Sequence, residues 1–166
     1  PLGAVVGGSK VSTKLELLGH MTEKVDKLLI GGAMANTFLF ALGHDVGSSL
    51  CERDMKETAL SIMESAKKNN CEILLPSDAV VAKNFASHAQ NKIVSVEQVP
   101  EGHMILDIGP QSIVELSQQL AECKTIVWNG PVGAFETSPF DASTVTLARM
   151  VAGLSRAGKI HSVAGG

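Results

Sequence analysis

The stretch LGAVVGGSKVSTK, residues 2–14, decides the fold of this chain. Its apolar run at residues 4–6 has the length and composition of a buried strand, and Gly7 and Gly8 follow directly, before a leucine-rich segment that suits a helix. Glycine lacks a Cβ, so the backbone of such a turn can approach a ligand closely. The unpaired N–H groups of a helix start favour an anion. The pattern predicts either a phosphate-binding turn or a tight, purely structural connection.

Lys10 and Lys14 follow the two glycines and are four residues apart. This spacing predicts that both lie on one face of the helix and point at the same anion. A nucleotide phosphate is the expected anion, and the alternative is a pair of ordinary surface lysines.

Composition and charge narrow the class of protein. The 166 residues suit one domain, and 45% hydrophobic with 19% charged residues is typical of a soluble enzyme domain. A net charge of −3 argues against a nucleic-acid partner, and no apolar run is long enough to cross a membrane. The three scattered cysteines predict reduced thiols in the cytoplasm, without a zinc site or a disulfide framework.

Apolar runs alternate with helix-period segments along most of the chain. The runs that end in turn-forming or acidic residues are 4–8, 28–33, 72–78, 104–109, 125–130 and 161–166. Helix-period segments cover 34–42, 52–69, 111–123 and 142–156. The alternation predicts an α/β fold: a doubly wound parallel sheet, Rossmann-like and three-layered, with helices on both faces.

The pattern changes around residues 79–97. Two short apolar runs, 80–82 and 93–96, are separated by a polar connection and predict a small β excursion. No internal repeat or low-complexity linker is present, so residues 1–166 are expected to form one domain.

Ligands of open α/β sheets bind at the carboxyl ends of the strands. Here those ends are expected to carry several glycine pairs, which predicts a surface where a long ligand lies close to the backbone. The alternative is that these glycines serve the turns alone. Asp78 and Asp107 also fall at predicted strand ends, and for both we expect helix capping.

Three further patterns bear on the ligand. WNGPVGAFE, residues 128–136, brings an amide, apolar groups and the carboxylate of Glu136 into one loop, where that carboxylate could accept both hydroxyls of a ribose or simply face solvent. The glycine turn lacks a GxGxxG pattern, which disfavours a Rossmann-type oxidoreductase. GLSRAGK, residues 153–159, has the spacing of a Walker A motif, but Ile160 follows the lysine and the segment precedes a strand, so no phosphate site is expected there.

Six segments together resemble the C-terminal, nucleotide-binding domain of phosphoglycerate kinase, in order and at matching spacing. They are GGSKVSTK (7–14), IGGAMANTF (30–38), LPSD (75–78), LDIGP (106–110), WNGPVGAFE (128–136) and VAGG (163–166). The resemblance covers essentially the whole chain, and the first two segments look bacterial. It implies a glycolytic, cytoplasmic and monomeric kinase. Such an enzyme moves a phosphoryl group between 1,3-bisphosphoglycerate and ADP, giving 3-phosphoglycerate and ATP, with Mg²⁺.

The resemblance also implies roles for individual residues. Lys10 would be catalytic and face the phosphoryl group in transfer, and Lys14 would bind the nucleotide phosphates. The other residues implied to bind nucleotide are Gly8, Ser9, Gly32 and Ala33 on its backbone-facing side, Ile105 and Leu106 beside the adenine, Asn129, Gly130 and Val132 in the phosphate-side loop, and Phe135 and Glu136 beside the base and the ribose.

The chain departs from the family pattern in several ways. Ala33 and Ile105 stand where many members carry glycine, which is expected to narrow the base pocket. The sequence stops at Gly166, where the family continues into an Asp-Ser/Thr pair that serves Mg²⁺, and it lacks the N-terminal domain that binds phosphoglycerate. We therefore expect a domain truncated at both ends, without a metal site of its own and inactive alone. The alternative is a stand-alone nucleotide-binding module without catalysis.

Overall fold

The computed structural model describes residues 1–134, 138–159 and 161–165. The strands in this part of the chain are β1 (Leu2–Val6), β2 (Lys27–Ile30), β3 (Glu72–Leu74), β4 (Asp78–Ala82), β5 (Asn91–Ser95), β6 (Met104–Ile108), β7 (Thr125–Asn129) and β8 (His161–Gly165). The helices are α1 (Leu15–Lys24), α2 (Ala33–Ala41), α3 (Lys56–Lys68), α4 (Pro110–Ala121) and α5 (Ala142–Arg156).

The main sheet has five parallel strands in the order β3-β2-β1-β7-β8. Its two faces form two separate apolar cores, because successive side chains of a strand point to opposite faces. Ala4 and Val6 of β1 pack with residues of α1, α2 and α3, whereas Val5 packs with residues of α4 and α5. The predicted α/β fold, with helices on both faces of a parallel sheet, is confirmed.

The order of the strands reverses between β1 and β7. The chain moves outward from β1 through β2 to β3, and later returns to place β7 on the other side of β1, followed by β8. In doubly wound sheets a crevice forms at such a reversal, at the carboxyl ends of the strands. The glycine turn after β1 and the Asn129-Gly130 turn after β7 both lie there.

A second sheet has three antiparallel strands in the order β5-β4-β6. The hairpin of β4 and β5 confirms the excursion predicted around residues 79–97. The interpretation of residues 104–109 as a strand of the parallel sheet is wrong, because β6 pairs antiparallel with β4. The strand predicted to end at Asp78 also ends earlier, at Leu74, and Asp78 instead begins β4. A short apolar run does not encode which strand it will pair with.

The helix ends agree with the sequence patterns to within a few residues. Pro110 opens α4, where its missing N–H removes no hydrogen bond. The Walker-like spacing falls on the end of α5, where Gly158 adopts a φ of 73° beyond Arg156, before β8. No helix in the described ranges is both long and apolar enough to span a membrane.

Candidate functional site

A cleft of about 680 Å³ lies between the carboxyl edge of the main sheet and the small antiparallel sheet. Its walls are formed by the turns that follow β1, β2 and β7 in the main sheet, by β6 of the small sheet and by the start of α2. Seven of the residues that the sequence predicted for nucleotide binding line it: Gly8, Ser9, Gly32, Ala33, Ile105, Leu106 and Val132. Residues from four distant segments of the chain are therefore brought to one site by the fold.

The glycine turns that follow β1, β2 and β7 pack against one another at one end of this cleft, here called the glycine end. Gly32 has a φ of 70°, and a Cβ there would lie 2.5 Å from the carbonyl oxygen of Gly8. Gly130 has a φ of 87°, and its Cβ would lie 2.2 Å from the carbonyl oxygen of Gly7. At these positions glycine is required by the contact between neighbouring strand ends. These glycines therefore serve the turns, as one of the two alternatives predicted. The same packing leaves backbone atoms without side chains beside the cleft.

The two lysines do not share a helix face, so that prediction is wrong. Residues 11–13 form a 3-10 turn, Lys10 precedes it in an extended conformation, and Lys14 follows it at the start of α1. The hydroxyl of Thr13 donates a hydrogen bond of 3.0 Å to the carbonyl of Lys10, a local bond that competes with regular helix. Val11 is fully buried and fixes the turn from inside.

Lys14 connects the two sides of the strand reversal. Its half-buried Nζ donates a hydrogen bond to Oδ1 of Asn129, at the end of β7, while its side chain runs beside Gly8. Lys10 is exposed. Neither lysine lines the cleft itself, and neither do Asn129 and Gly130. These residues instead surround the end of the cleft where the glycine turns meet.

Large apolar side chains line the part of the cleft formed by the small antiparallel sheet and the connections beside it, here called the apolar end. Leu50 is 64% exposed and Phe85 is 53% exposed, and Met104 lies with them. None of these residues is among the predicted site residues. Phe85 lies in the connection between β4 and β5, and its one sequence signal is that it is the only large apolar side chain in that connection. Exposed apolar surface beside a cleft marks a place where a planar, apolar group can bind.

Asp78 caps α4, as expected. Its carboxylate accepts hydrogen bonds from the backbone N–H groups of Gln111, at 3.1 Å, and Ser112, at 2.8 Å, in the first turn of the helix. A side chain at Gly109 would collide with this carboxylate, since a Cβ there would lie 2.3 Å from it. The pairing satisfies the unpaired N–H groups of the helix start.

Asp107 caps α5 in the same way, and it also lines the cleft. Its Oδ2 accepts a hydrogen bond of 3.1 Å from the N–H of Ser143, and its Oδ1 accepts one of 2.9 Å from the N–H of Ile108. Burial raises the pKa of this carboxyl group to about 6, although both hydrogen bonds favour its charged form.

Asp107 is the acidic residue among the described residues that line the cleft. Both oxygens of its carboxylate accept hydrogen bonds, from Ile108 and Ser143. Among the described residues, no three histidine, cysteine or acidic side chains lie close enough together to hold a metal ion. Phe135 and Glu136 lie outside the described residues, although the loop up to Ala134 reaches the cleft.

An open α/β protein with a glycine-walled cleft at the strand reversal of a doubly wound sheet is the class that the fold and the cleft define. The family model for phosphoglycerate kinase matches residues 1–166, so this chain belongs to the phosphoglycerate kinase family. The resemblance drawn from the six sequence segments is thereby confirmed.

Individual relatives agree with this assignment. The phosphoglycerate kinase of Xanthobacter autotrophicus is 59% identical over 166 residues, and that of Azorhizobium caulinodans is 57% identical. The solved phosphoglycerate kinase of Coxiella burnetii superposes with a TM-score of 0.94 at 41% identity, covering 100% of this chain. The solved phosphoglycerate kinase of Pyrococcus horikoshii superposes with a TM-score of 0.70 at 26% identity, and the match covers 92% of this chain and 39% of the Pyrococcus chain. The chain spans 42% of the length of the two sequence relatives and of the Coxiella protein.

Proposed function

We propose that residues 1–166 form the nucleotide-binding domain of a phosphoglycerate kinase. The enzyme would transfer a phosphoryl group between 1,3-bisphosphoglycerate and ADP, giving 3-phosphoglycerate and ATP. The observation that carries the proposal is the cleft at the strand reversal, which has glycine backbone and lysines at one end and apolar side chains at the other. The glycine end suits the phosphates of a nucleotide, and the apolar end suits its base.

The phosphates of the nucleotide would lie at the glycine end. Lys14 is held beside Gly8 by its hydrogen bond to Asn129, so its charge has a fixed position. The base would lie against the apolar end, whose lining includes Leu50, Phe85 and Leu106. Phe135 and Glu136, for which the family resemblance implies contacts to the base and the ribose, would complete the proposed site.

The two lysines would have different roles, Lys14 in binding the nucleotide and Lys10 in phosphoryl transfer. Lys14 is half-buried and bonded, which suits a group that binds phosphates already in place. Lys10 is exposed beside the turn and has the freedom to follow a phosphoryl group as it moves. Phosphoryl transfer depends mainly on positioning and charge neutralisation, and lysines supply both without acting as bases.

The remaining partners would come from outside this chain. Mg²⁺ would arrive with ADP or ATP, as part of the metal–nucleotide substrate. Phosphoglycerate would bind to a further part of the enzyme, since the chain spans 42% of its relatives. We expect a cytoplasmic monomer, and neither the net charge of −3 nor any sequence motif favours a nucleic-acid or membrane partner.

Calorimetric titration with Mg-ADP tests the binding half of the proposal. Lys14→Met should weaken binding, and Lys24→Met, at the exposed end of α1, is the matched control that removes the same charge elsewhere. A coupled assay of the full-length gene product tests the kinase half. Binding of ADP without turnover would favour the stand-alone binding module, and tighter binding of NADH than of ADP would favour an oxidoreductase.

A further inference from the structure

Ser12 and Glu52, which are 40 residues apart in the chain, join the two segments that follow the cleft-lining residues Ser9 and Leu50. The Glu52 carboxylate accepts two hydrogen bonds from this one serine: one of 3.1 Å from the backbone N–H to Oε1, and one of 2.5 Å from the hydroxyl to Oε2. We propose that this contact, the Ser12–Glu52 clamp, positions residues 10–14 for nucleotide binding and phosphoryl transfer. The inference rests on the proposed function.

One side of the clamp is the lysine turn, residues 10–14. Ser12 lies in the middle of its 3-10 turn, with Lys10 immediately before the turn and Lys14 immediately after it. Val11 anchors the turn to the core, since it is fully buried, whereas Ser12 faces outward to Glu52. Held from both sides, the turn has one position, and the positions of the two lysine backbones follow from it.

The other side of the clamp belongs to the segment that carries Leu50. The N–H of Glu52 donates a hydrogen bond of 3.1 Å to the hydroxyl of Thr37, a fully buried residue of α2. Asn36 of α2 donates a hydrogen bond of 3.1 Å to the carbonyl of Leu50. Residues 50–52 are therefore fixed on α2, and the clamp ties the lysine turn to the apolar end of the cleft.

The charge at the clamp strengthens the contact. Burial disfavours the ionised form of Glu52, but the hydrogen bonds from Ser12 and Val11, together with the positive charge of Lys10, outweigh burial and lower the pKa of this carboxyl group. Hydrogen bonds to an ionised acceptor are shorter and stronger than those between neutral groups.

The clamp should act on phosphate contacts and leave contacts to the nucleoside unchanged. Leu50 stays fixed to α2 through Asn36 when the clamp is broken, so the apolar end of the cleft keeps its shape. The lysine turn, in contrast, loses its outer attachment and must be ordered again when phosphates bind. Ordering a segment on binding lowers affinity, and a displaced charge slows transfer.

The test compares Mg-ADP with adenosine, which lacks phosphates, by calorimetry on the full-length gene product. Ser12→Ala and Glu52→Gln should each raise the Kd for Mg-ADP about three- to tenfold, the size of the net contribution of one ordinary hydrogen bond, since each variant weakens the contact without removing all of it. The double variant should lose less affinity for Mg-ADP than the sum of the two single losses, because both variants weaken the same contact. The Kd for adenosine should not change.

Two control variants make the result specific. Glu57→Gln removes the same charge from an exposed position of α3 and should leave both Kd values unchanged. Ser12→Thr keeps the hydroxyl and should retain affinity for Mg-ADP. In steady-state kinetics, Glu52→Gln should lower kcat and raise the KM for ADP while the KM for phosphoglycerate stays constant. An equal loss of adenosine and Mg-ADP affinity, additive effects of the two variants, or unchanged Mg-ADP affinity would each overturn the proposal.

Hydrogen exchange provides a measurement that does not depend on a nucleotide. In Glu52→Gln, the backbone amides of residues 10–14 should exchange faster, while those of β1 should not change. Unchanged exchange at residues 10–14 would overturn the clamp even where nucleotide affinity falls. If the unaltered protein binds no Mg-ADP, the proposed function fails, and the clamp's role in binding fails with it, while the exchange data still decide whether the clamp holds the turn.

Discussion

Asp107 offers a quantitative test of the electrostatics of the cleft, through the change Asp107→Asn. Its side chain is 3% exposed, and burial raises its pKa from 3.8 to about 6. Asparagine has nearly the same shape but carries no charge at any pH. The variant therefore removes the cost of ionising this buried group and keeps one oxygen as an acceptor for the N–H groups at the start of α5.

The sign of the effect follows from linkage. A carboxyl group with a raised pKa in the folded state holds its proton more tightly when folded, so its contribution to stability is fully present below pH 3.8 and is lost as the pH rises through about 6. Because each pKa unit is worth about 1.4 kcal/mol, the loss amounts to about 3 kcal/mol at its full extent. Between pH 4 and pH 8 the contribution of Asp107 to the free energy of unfolding should therefore fall by about 2–3 kcal/mol.

Urea unfolding at a series of pH values measures this change, with the fluorescence of Trp128, the single tryptophan, as the probe. The free energy of unfolding of Asp107→Asn minus that of the unaltered protein should rise by about 2–3 kcal/mol from pH 4 to pH 8. Asp54→Asn, at an exposed position, is the control and should give a nearly constant difference. A constant difference for Asp107→Asn as well, or an NMR titration of its carboxyl group with a midpoint near 4, would refute the reasoning.

Three further predictions concern the glycine turn, the lysines and the isolated chain. Gly32→Ala should lower the free energy of unfolding by more than Gly43→Ala in urea titrations. Both glycines have a positive φ, a conformation that costs a residue other than glycine about 1–3 kcal/mol. Only at Gly32, however, would the added Cβ also collide with backbone, since it would lie 2.5 Å from the carbonyl oxygen of Gly8. In the full-length gene product, Lys10→Ala should chiefly lower kcat, whereas Lys14→Ala should also raise the KM for ADP; a change in KM alone for Lys10→Ala would reverse the roles. The 166-residue chain should bind Mg-ADP weakly in calorimetry and show no turnover in a coupled assay, and turnover near that of an ordinary kinase would contradict this.

The parallel sheet could be predicted because its signals are local. The run at residues 4–6 predicts the strand, and Gly7 and Gly8 directly after it predict the turn. The strand, β1, is the central strand of the main sheet. The partner of β6 was not predictable in this way. Its apolar sequence suits a parallel and an antiparallel strand equally, and the choice depends on its contact with β4, which lies between β5 and β6 in the small sheet.

The site was predicted best where backbone alone forms it. Gly8, Gly32 and Val132 line the cleft because strand ends determine their positions. Leu50 and Phe85 were missed because they lie on connections whose positions depend on distant contacts. Leu50 is held by Asn36 of α2, and the connection that carries Phe85 is fixed by a hydrogen bond from the N–H of His88 to the carbonyl of Ser138, 50 residues further along the chain.

The two ends of the cleft differ in how their positions are fixed, and this difference bears on how the site would recognise a nucleotide. At the glycine end, backbone hydrogen bonds join neighbouring turns, from Gly7 to Asn129 at 2.7 Å and from Gly32 to Val132 at 3.0 Å. Moving any one of these turns would break contacts in the others, so the geometry offered to phosphates is rigid. At the apolar end, Leu50 and Phe85 are exposed side chains on connections, and a substitution there changes the wall without disturbing the sheet. We therefore expect variants that alter the preference for the base to arise at the apolar end, and variants that alter phosphate binding to cost stability as well.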